Sequence, residues 1–204
     1  MNPHSIAEAF SRTAAKYDAF ANDHPHLTRM RHKVYAHLSR HVPPGARILE
    51  LNAGSGTDAV ALAQRGYFVH ATDIAPGMLN RLRDKVKDLR LEDRVTVEER
   101  SFLALADVAG APFDSIFSDL GGLNCVPDLS PIIRQLPKVL RPGGVVTWVL
   151  MPHVCLWEMA EALRGNFRVA FRRLSPNGVR SHLEGVNFDV YYFSSSLRIA
   201  PALS

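Results

Sequence analysis

Four residues combine types and spacing that can do chemistry: Glu50, Gly54, Gly56 and Asp73. The stretch Arg47 to Asp58 reads R-I-L-E-L-N-A-G-S-G-T-D, in which Ile48, Leu49 and Leu51 frame Glu50. This order predicts a strand, a glycine turn and a helix opening at Thr57 and Asp58. Glycines at such a turn let a ligand approach the backbone where a Cβ would clash. The helix that follows offers unpaired N–H groups to an acceptor-rich ligand. The pattern therefore points to a nucleotide-type pocket. G-S-G-T-D-A also satisfies the dinucleotide pattern with Ala59 in the third position, and Asp73 is spaced to reach the ribose hydroxyls of either kind of ligand. Glu50 separates the two, because a carboxylate before the turn repels a pyrophosphate and suits an ammonium group. His153, of a type that titrates near neutrality, is the candidate general base. His24-Pro25-His26 has no partner acids and reads as a turn rather than a metal site.

Beyond the turn the chain resembles the class I, Rossmann-like S-adenosylmethionine (SAM)-dependent methyltransferases of small-molecule type. The resemblance runs from about Ile48 to Met151 and rests on four motifs: E-L-N-A-G-S-G-T-D, D-I-A-P-G-M-L, F-D-S-I-F-S-D and L-R-P-G-G-V-V. Asn52 stands where the family usually has a first glycine, and Ser101 where it usually has an acid. The resemblance implies SAM as cofactor and S-adenosylhomocysteine as product. It implies that Glu50 faces the ammonium group, that Asn52, Ala53, Gly54 and Gly56 form the turn against the methionine end, and that Asp73 takes the ribose. Ile74 and Met78 would pack near the adenine, with Ser101 and Phe102 at its edge. Asp119 would line the transfer cavity or touch the amino group. Tyr17, in a Tyr-Asp pair, would reach the carboxylate end from an N-terminal lid.

These residues need elements to hold them. Ser5 and Glu8 form a capping box for a first helix. A second helix from about Thr28 carries Met30, Val34 and Leu38 on one stripe. Strands are expected at Phe68 to Thr72, Arg94 to Glu99, Asp114 to Ser118 and Val145 to Met151. Helices are expected from Pro76 through Leu89 and from Ser130-Pro131, the latter kinked or ended at Pro137. The loop Asn124-Cys125 lies where an acceptor would enter. Past Pro152, Val154 to Arg164 reads as helical, and Phe167 to Arg173 and Phe188 to Phe193 read as strands. Those two either complete a seven-stranded sheet or form an inserted hairpin, and the short remaining tail favours the hairpin. Ser194 to Ser196 would then cap a further helix.

At 204 residues and 47% hydrophobic composition, one domain with a full core is expected. Residues 1–42 would form the helical lid, 46–151 the cofactor-binding core and 152–204 a C-terminal helix and hairpin. The fold class is α/β, a doubly wound and mostly parallel sheet with helices on both faces. Two cysteines exclude a disulfide scaffold. No apolar run is long enough to span a bilayer and the N-terminus carries no signal-like run, so a cytoplasmic protein without a membrane partner is expected. The net charge of +4 gathers in Arg29 to Lys33 and Phe167 to Arg173. Lacking a continuous basic stripe, these runs read as solvated faces that could steer an acidic substrate, not as a nucleic-acid surface. The expected activity is methyl transfer to an oxygen or nitrogen of a small-molecule acceptor. A nicotinamide (NAD(P))-dependent oxidoreductase and a SAM-binding protein without catalysis are the alternatives; the oligomeric state is unknown.

Overall fold

Strand β1 (Arg47–Leu51) is buried over Ile48 to Leu51 and lies at the centre of a sheet. The structure, a computed structural model, describes residues 6–14, 24–183 and 185–194. Five strands pair in the order β3-β2-β1-β4-β5, with β2 at Phe68–Asp73, β3 at Val95–Glu99, β4 at Phe113–Ser118 and β5 at Leu140–Trp148. Every pairing is parallel. A parallel sheet must be covered on both faces, which is why its strands read as apolar runs. Side chains alternate between the faces. Ile48 and Phe117 enter one core with Tyr35, Leu38 and Leu62, while Leu49, Leu51 and Ile116 enter the other with Leu123, Ile132 and Val139. Glu50 alternates to the side of Ile48, under the N-terminal helices. The order in which strands are added reverses between β1 and β4, and the crevice above their C-terminal ends is where such folds bind ligands.

Residues 6–14 are helical (α1). Helix α2 is Pro25–His41, with Pro25 in the first turn. The His24-Pro25-His26 segment is therefore a helix start. Proline suits that position, where its missing N–H leaves no bond unmade. The buried stripe of α2 is Arg31, Tyr35 and Leu38, and Met30 remains 44% exposed. This corrects the expected stripe: an ion-paired arginine took the inward position that apolar periodicity assigned to methionine. Helices α3 (Thr57–Ala63) and α4 (Pro76–Asp88) connect β1, β2 and β3 as anticipated. The helix after β4 is two pieces, α5 (Ser130–Ile133) and α6 (Leu136–Val139), with Pro137 in the first turn of the second. Strand β5 begins earlier than Val145 and takes in R-P-G-G through a register shift opposite Phe113 and Ser115. It ends before Met151, whose N–H is held by the Asn124 side chain.

The C-terminal region departs most from expectation. Residues 156–159 are α-helical (α7) and 160–164 form a 3₁₀ turn. Phe167–Phe171 is a helix (α8), not a strand, because Phe167, Ala170 and Phe171 also satisfy the helical spacing and Ala170 is the buried one. The hairpin exists with a different first member, β6 (Val179–Leu183) against β7 (Val186–Val190), antiparallel and separate from the main sheet. Tyr17, the Tyr17-Asp18 pair and residues 195–204 lie outside the described residues. Among the described residues, no helix is long and apolar enough to cross a membrane.

Candidate functional site

The turn after β1 is built from left-handed backbone. Asn52, Gly54 and Gly56 have φ of 51°, 54° and 82°. Asn52 thus adopts the conformation a glycine would supply, which asparagine does more readily than most residues. A Cβ on Gly54 would meet nothing within 4 Å, whereas one on Gly56 would lie 2.1 Å from Leu82 Cδ1. Gly54 therefore borders open space, and Gly56 lets α4 pack against the turn. Asp73 fastens the turn to the end of β2: its Oδ2 accepts from Gly54 N–H at 2.9 Å and its Oδ1 from Ala75 N–H at 2.8 Å. Each oxygen keeps a lone pair for a ligand. Burial raises the Asp73 pKa, and those backbone donors partly offset it.

Beneath the turn lies a set of buried acids. Glu50 is 2% exposed and its Oε2 has no partner. Burial pushes its pKa well above the usual carboxylate range, helped by Asp58, Asp119 and Asp73 and opposed by Arg31. Asp58, in the first turn of α3, accepts from the Tyr35 hydroxyl and pairs with Arg31 Nε at 3.2 Å. Its pKa is also raised by burial. Asp119 accepts from Leu120 N–H at 2.7 Å through Oδ1, while its buried Oδ2 has no partner. Burial and then the nearby Asp58 raise Asp119 to about 6. Asn52 Oδ1 is a third buried acceptor without a partner. Buried acceptors are nearly always paired. Three together, among four carboxylates and one guanidinium, form a site complementary to a cationic, hydrogen-bond-donating ligand.

A cavity of about 240 Å³ opens over this floor. Asn52, Ala53, Gly54, Asp73, Ile74, Met78, Ser101, Phe102 and Asp119 all line it, so the structure brings together most of the residues chosen from sequence. Ser101 also holds its own loop, accepting from Leu103 N–H at 3.1 Å. Glu50 and Gly56 are not among the lining residues; Glu50 lies buried at the end of β1, and Gly56 packs on Leu82. His153 is not among them either, and its N–H donates to Phe193 O. Asn124 is fully buried and does not line the cavity. Its side chain bonds both polar backbone groups of Met151 and the carbonyl of Tyr191 at 2.5 Å, pinning the hairpin to β5. Its neighbour Cys125 does line the cavity, its thiol pushed up to about 11 by burial.

Sequence reasoning missed two parts. Arg31, Tyr35 and Asp58 were hidden inside a basic run and an amphipathic helix; their signal is the i, i+4 pairing of arginine and tyrosine on one helix face. The roof was missed in part as well. Phe188 and Val190 of β7 line the cavity opposite Ile6 and Phe10 of α1, and the Phe10 and Phe188 rings lie 5.8 Å apart. Alternation of apolar residues in β7 marked them as one face of a strand without saying what that face covered.

Residues 48–144 match the model of a family described as a methyltransferase domain. A malonyl-[acyl-carrier protein] O-methyltransferase of Serratia marcescens is 33% identical over 163 residues, covering 79% of this chain and 58% of that protein. The chain thus spans little more than half of that relative. A demethylmenaquinone methyltransferase of Beutenbergia cavernae is 30% identical over 203 residues, covering 98% of this chain and 78% of that protein. Among solved structures, a DhpI–SAM–HEP complex shares the fold with a TM-score of 0.67 at 19% identity, over 94% of this chain and 83% of that one. Similarity sustained along almost the whole chain is more than a shared glycine turn: the chain belongs to the class I SAM-dependent methyltransferase family.

Proposed function

We propose that this chain binds SAM in the cavity above β1 and β4 and transfers its methyl group to an oxygen or nitrogen of a small-molecule acceptor. The observation that carries the reading is Glu50: a buried carboxylate with an unpaired oxygen directly before a left-handed glycine turn. A structural acid would be satisfied by its neighbours, and a dinucleotide site would not place a carboxylate there. Glu50 and Asp119 would hold the ammonium end and Arg31 would meet the carboxylate. Gly54 leaves room for the methionine chain, Asp73 would take the ribose, and Ile74, Met78 and Phe102 would enclose the adenine. When bound, SAM supplies an electrophilic methyl group on a sulfonium whose charge is lost on transfer.

The chain's own contribution is alignment and exclusion of water, supplied by the apolar roof of Phe10, Phe188 and Val190. Asp119 has a free oxygen and a pKa raised to about 6. With that oxygen engaged by the ammonium group, a hydroxyl acceptor would need another base at the cavity wall. An amine acceptor would need no such help. Calorimetry with SAM, S-adenosylhomocysteine and NAD tests the reading: the first two should bind and the third should not. Asp73→Ala should weaken SAM by about 1.5–3 kcal/mol, the scale of hydrogen bonds to a charged group. Binding of NAD alone, or unchanged SAM affinity in folded Glu50→Gln and Asp73→Ala proteins, would overturn the assignment.

A further inference from the structure

Thirteen large apolar side chains are exposed among the described residues, and nine of them fall between Val154 and Leu174. Leu163 is 91% exposed, Trp157 84%, Leu156 79% and Phe167 61%. Helices α7 and α8 and the 3₁₀ turns beside them pack chiefly on one another, and only Ala170 is buried among them. A helical segment normally buries its large apolar residues; this one turns them outward. Contiguous exposure on this scale marks a surface that meets something apolar.

The charges of the same segment indicate what it meets. It holds Arg164, Arg168, Arg172 and Arg173 against Glu158 and Glu161. Both glutamates are engaged within the segment: Glu158 accepts from Arg172 and Arg173, and Glu161 from Arg164 and Asn166. Burial plays little part at Glu158, whose pKa is lowered to about 2 by its two arginines. Arg168 is exposed and has no acidic partner among the described residues. The face is thus apolar with a net positive rim. Tryptophan, leucine and phenylalanine beside arginine are the composition of segments that lie in the headgroup region of an anionic bilayer.

We propose that residues 154–174 form a membrane-surface docking face for anionic lipid. The expectation of no membrane partner came from the absence of a spanning run, and adsorption to one leaflet needs none. The face is tied to the cavity's rim, though none of its own residues line the cavity. Met151 lines the cavity, Pro152 bridges to Phe193, and Arg173 donates to Pro152 O and stacks over the Tyr192 ring at 4.8 Å. A docked molecule would therefore bring the cavity's apolar wall toward the lipid, a geometry suited to an apolar acceptor.

The test is flotation of the full chain with vesicles of phosphatidylcholine containing 30% phosphatidylglycerol, against phosphatidylcholine alone. Flotation with the anionic vesicles only, and its loss in high salt, is the expected result. The chain has two tryptophans, so a Trp148→Phe background isolates Trp157. Its emission should shift to the blue and be quenched by brominated lipid. A Leu156→Ser, Trp157→Ser, Leu163→Ser triple variant should bind at least tenfold more weakly, and Arg164→Gln with Arg168→Gln should lose the preference for anionic vesicles. Unchanged SAM binding in these variants would separate this face from the cofactor site. No flotation with either vesicle, or undiminished flotation of the triple variant, would overturn the proposal. So would a wild-type dimer that the triple variant turns into a monomer, which would make the face a contact between two copies.

Discussion

Glu50 and Asp119 each keep a buried carboxylate oxygen without a partner, an arrangement that opposes folding and favours a cation. Asp119 has a folded pKa raised to about 6, mainly by burial. In the unfolded chain it would titrate at the ordinary value near 3.9. A raised carboxyl pKa means that the folded state holds its proton more tightly. Stability from this group is therefore fully present below the unfolded value and is lost as pH rises through about 6. Asp119→Asn, which cannot ionise, should be the more stable protein at pH 8 by up to about 3 kcal/mol, with the gap closing toward pH 4. Urea unfolding at both pH values reads this directly. Ligand binding should run the opposite way. A cationic ligand prefers the carboxylate, so wild-type affinity for SAM should fall as pH drops from 8 to 5.5. The variant should bind more weakly and show a flatter profile. An Asp119→Asn protein with wild-type affinity and the same pH dependence would remove Asp119 from the cation site.

At the scale of elements, two glycines three and five positions past the strand's end do different work. Alanine at Gly56 would be strained at φ 82° and would sit 2.1 Å from Leu82 Cδ1. Strain and overpacking together should destabilise the fold by about 2–4 kcal/mol. Alanine at Gly54 meets open space, so only its left-handed φ opposes it, about 1 kcal/mol. Gly54→Ala should nevertheless lose SAM, since its methyl group would occupy ligand space. Denaturant midpoints and calorimetry on the two variants should rank oppositely. The same elements explain what could be read from sequence. The core strands and the turn were legible because burial on both faces demands apolar runs and the turn demands left-handed residues. Most of the cavity lining followed, since those residues lie at strand ends. Residues 167–173 were misread because a short F-R-V-A-F-R-R run fits both periods, and as a helix it buries Ala170 alone. Arg31 was misplaced for a related reason: hydropathy counts an arginine as outside unless its acid partner, here 27 residues away, is known.

At the scale of the molecule, the cavity is closed by elements that the parallel sheet does not require. Helix α1 stands outside the strand–helix alternation and outside both sheet cores: Ala14 and Phe10 meet Ala75 and Met78, and Ile6 and Ala9 are buried as well. It approaches α4 closely, with Ser11 Oγ accepting from Gly77 N–H at 3.2 Å and leaving no room for a Cβ on Gly77. The hairpin comes from the other end of the chain, held by Asn124 and the bond from Tyr191 N–H to Asn124 O at 2.7 Å. The two meet at Phe10 and Phe188 over a floor of acids. A roof of this kind strengthens every charge interaction below it by excluding water, and it opens to admit and release ligands. Removing residues 1–24 should therefore leave a domain that still unfolds cooperatively, because the sheet and both its cores are intact. That domain should bind SAM at least tenfold more weakly, about 1.4 kcal/mol, and turnover should fall further than binding, since alignment is lost as well. Phe188→Ala in the full chain should reproduce part of the loss. Combined with Phe10→Ala it should cost less than the two separate losses added, because each phenylalanine acts through the other. Strictly additive losses, or a truncated chain with wild-type affinity and turnover, would show that the two rings pack side by side without acting as a closure.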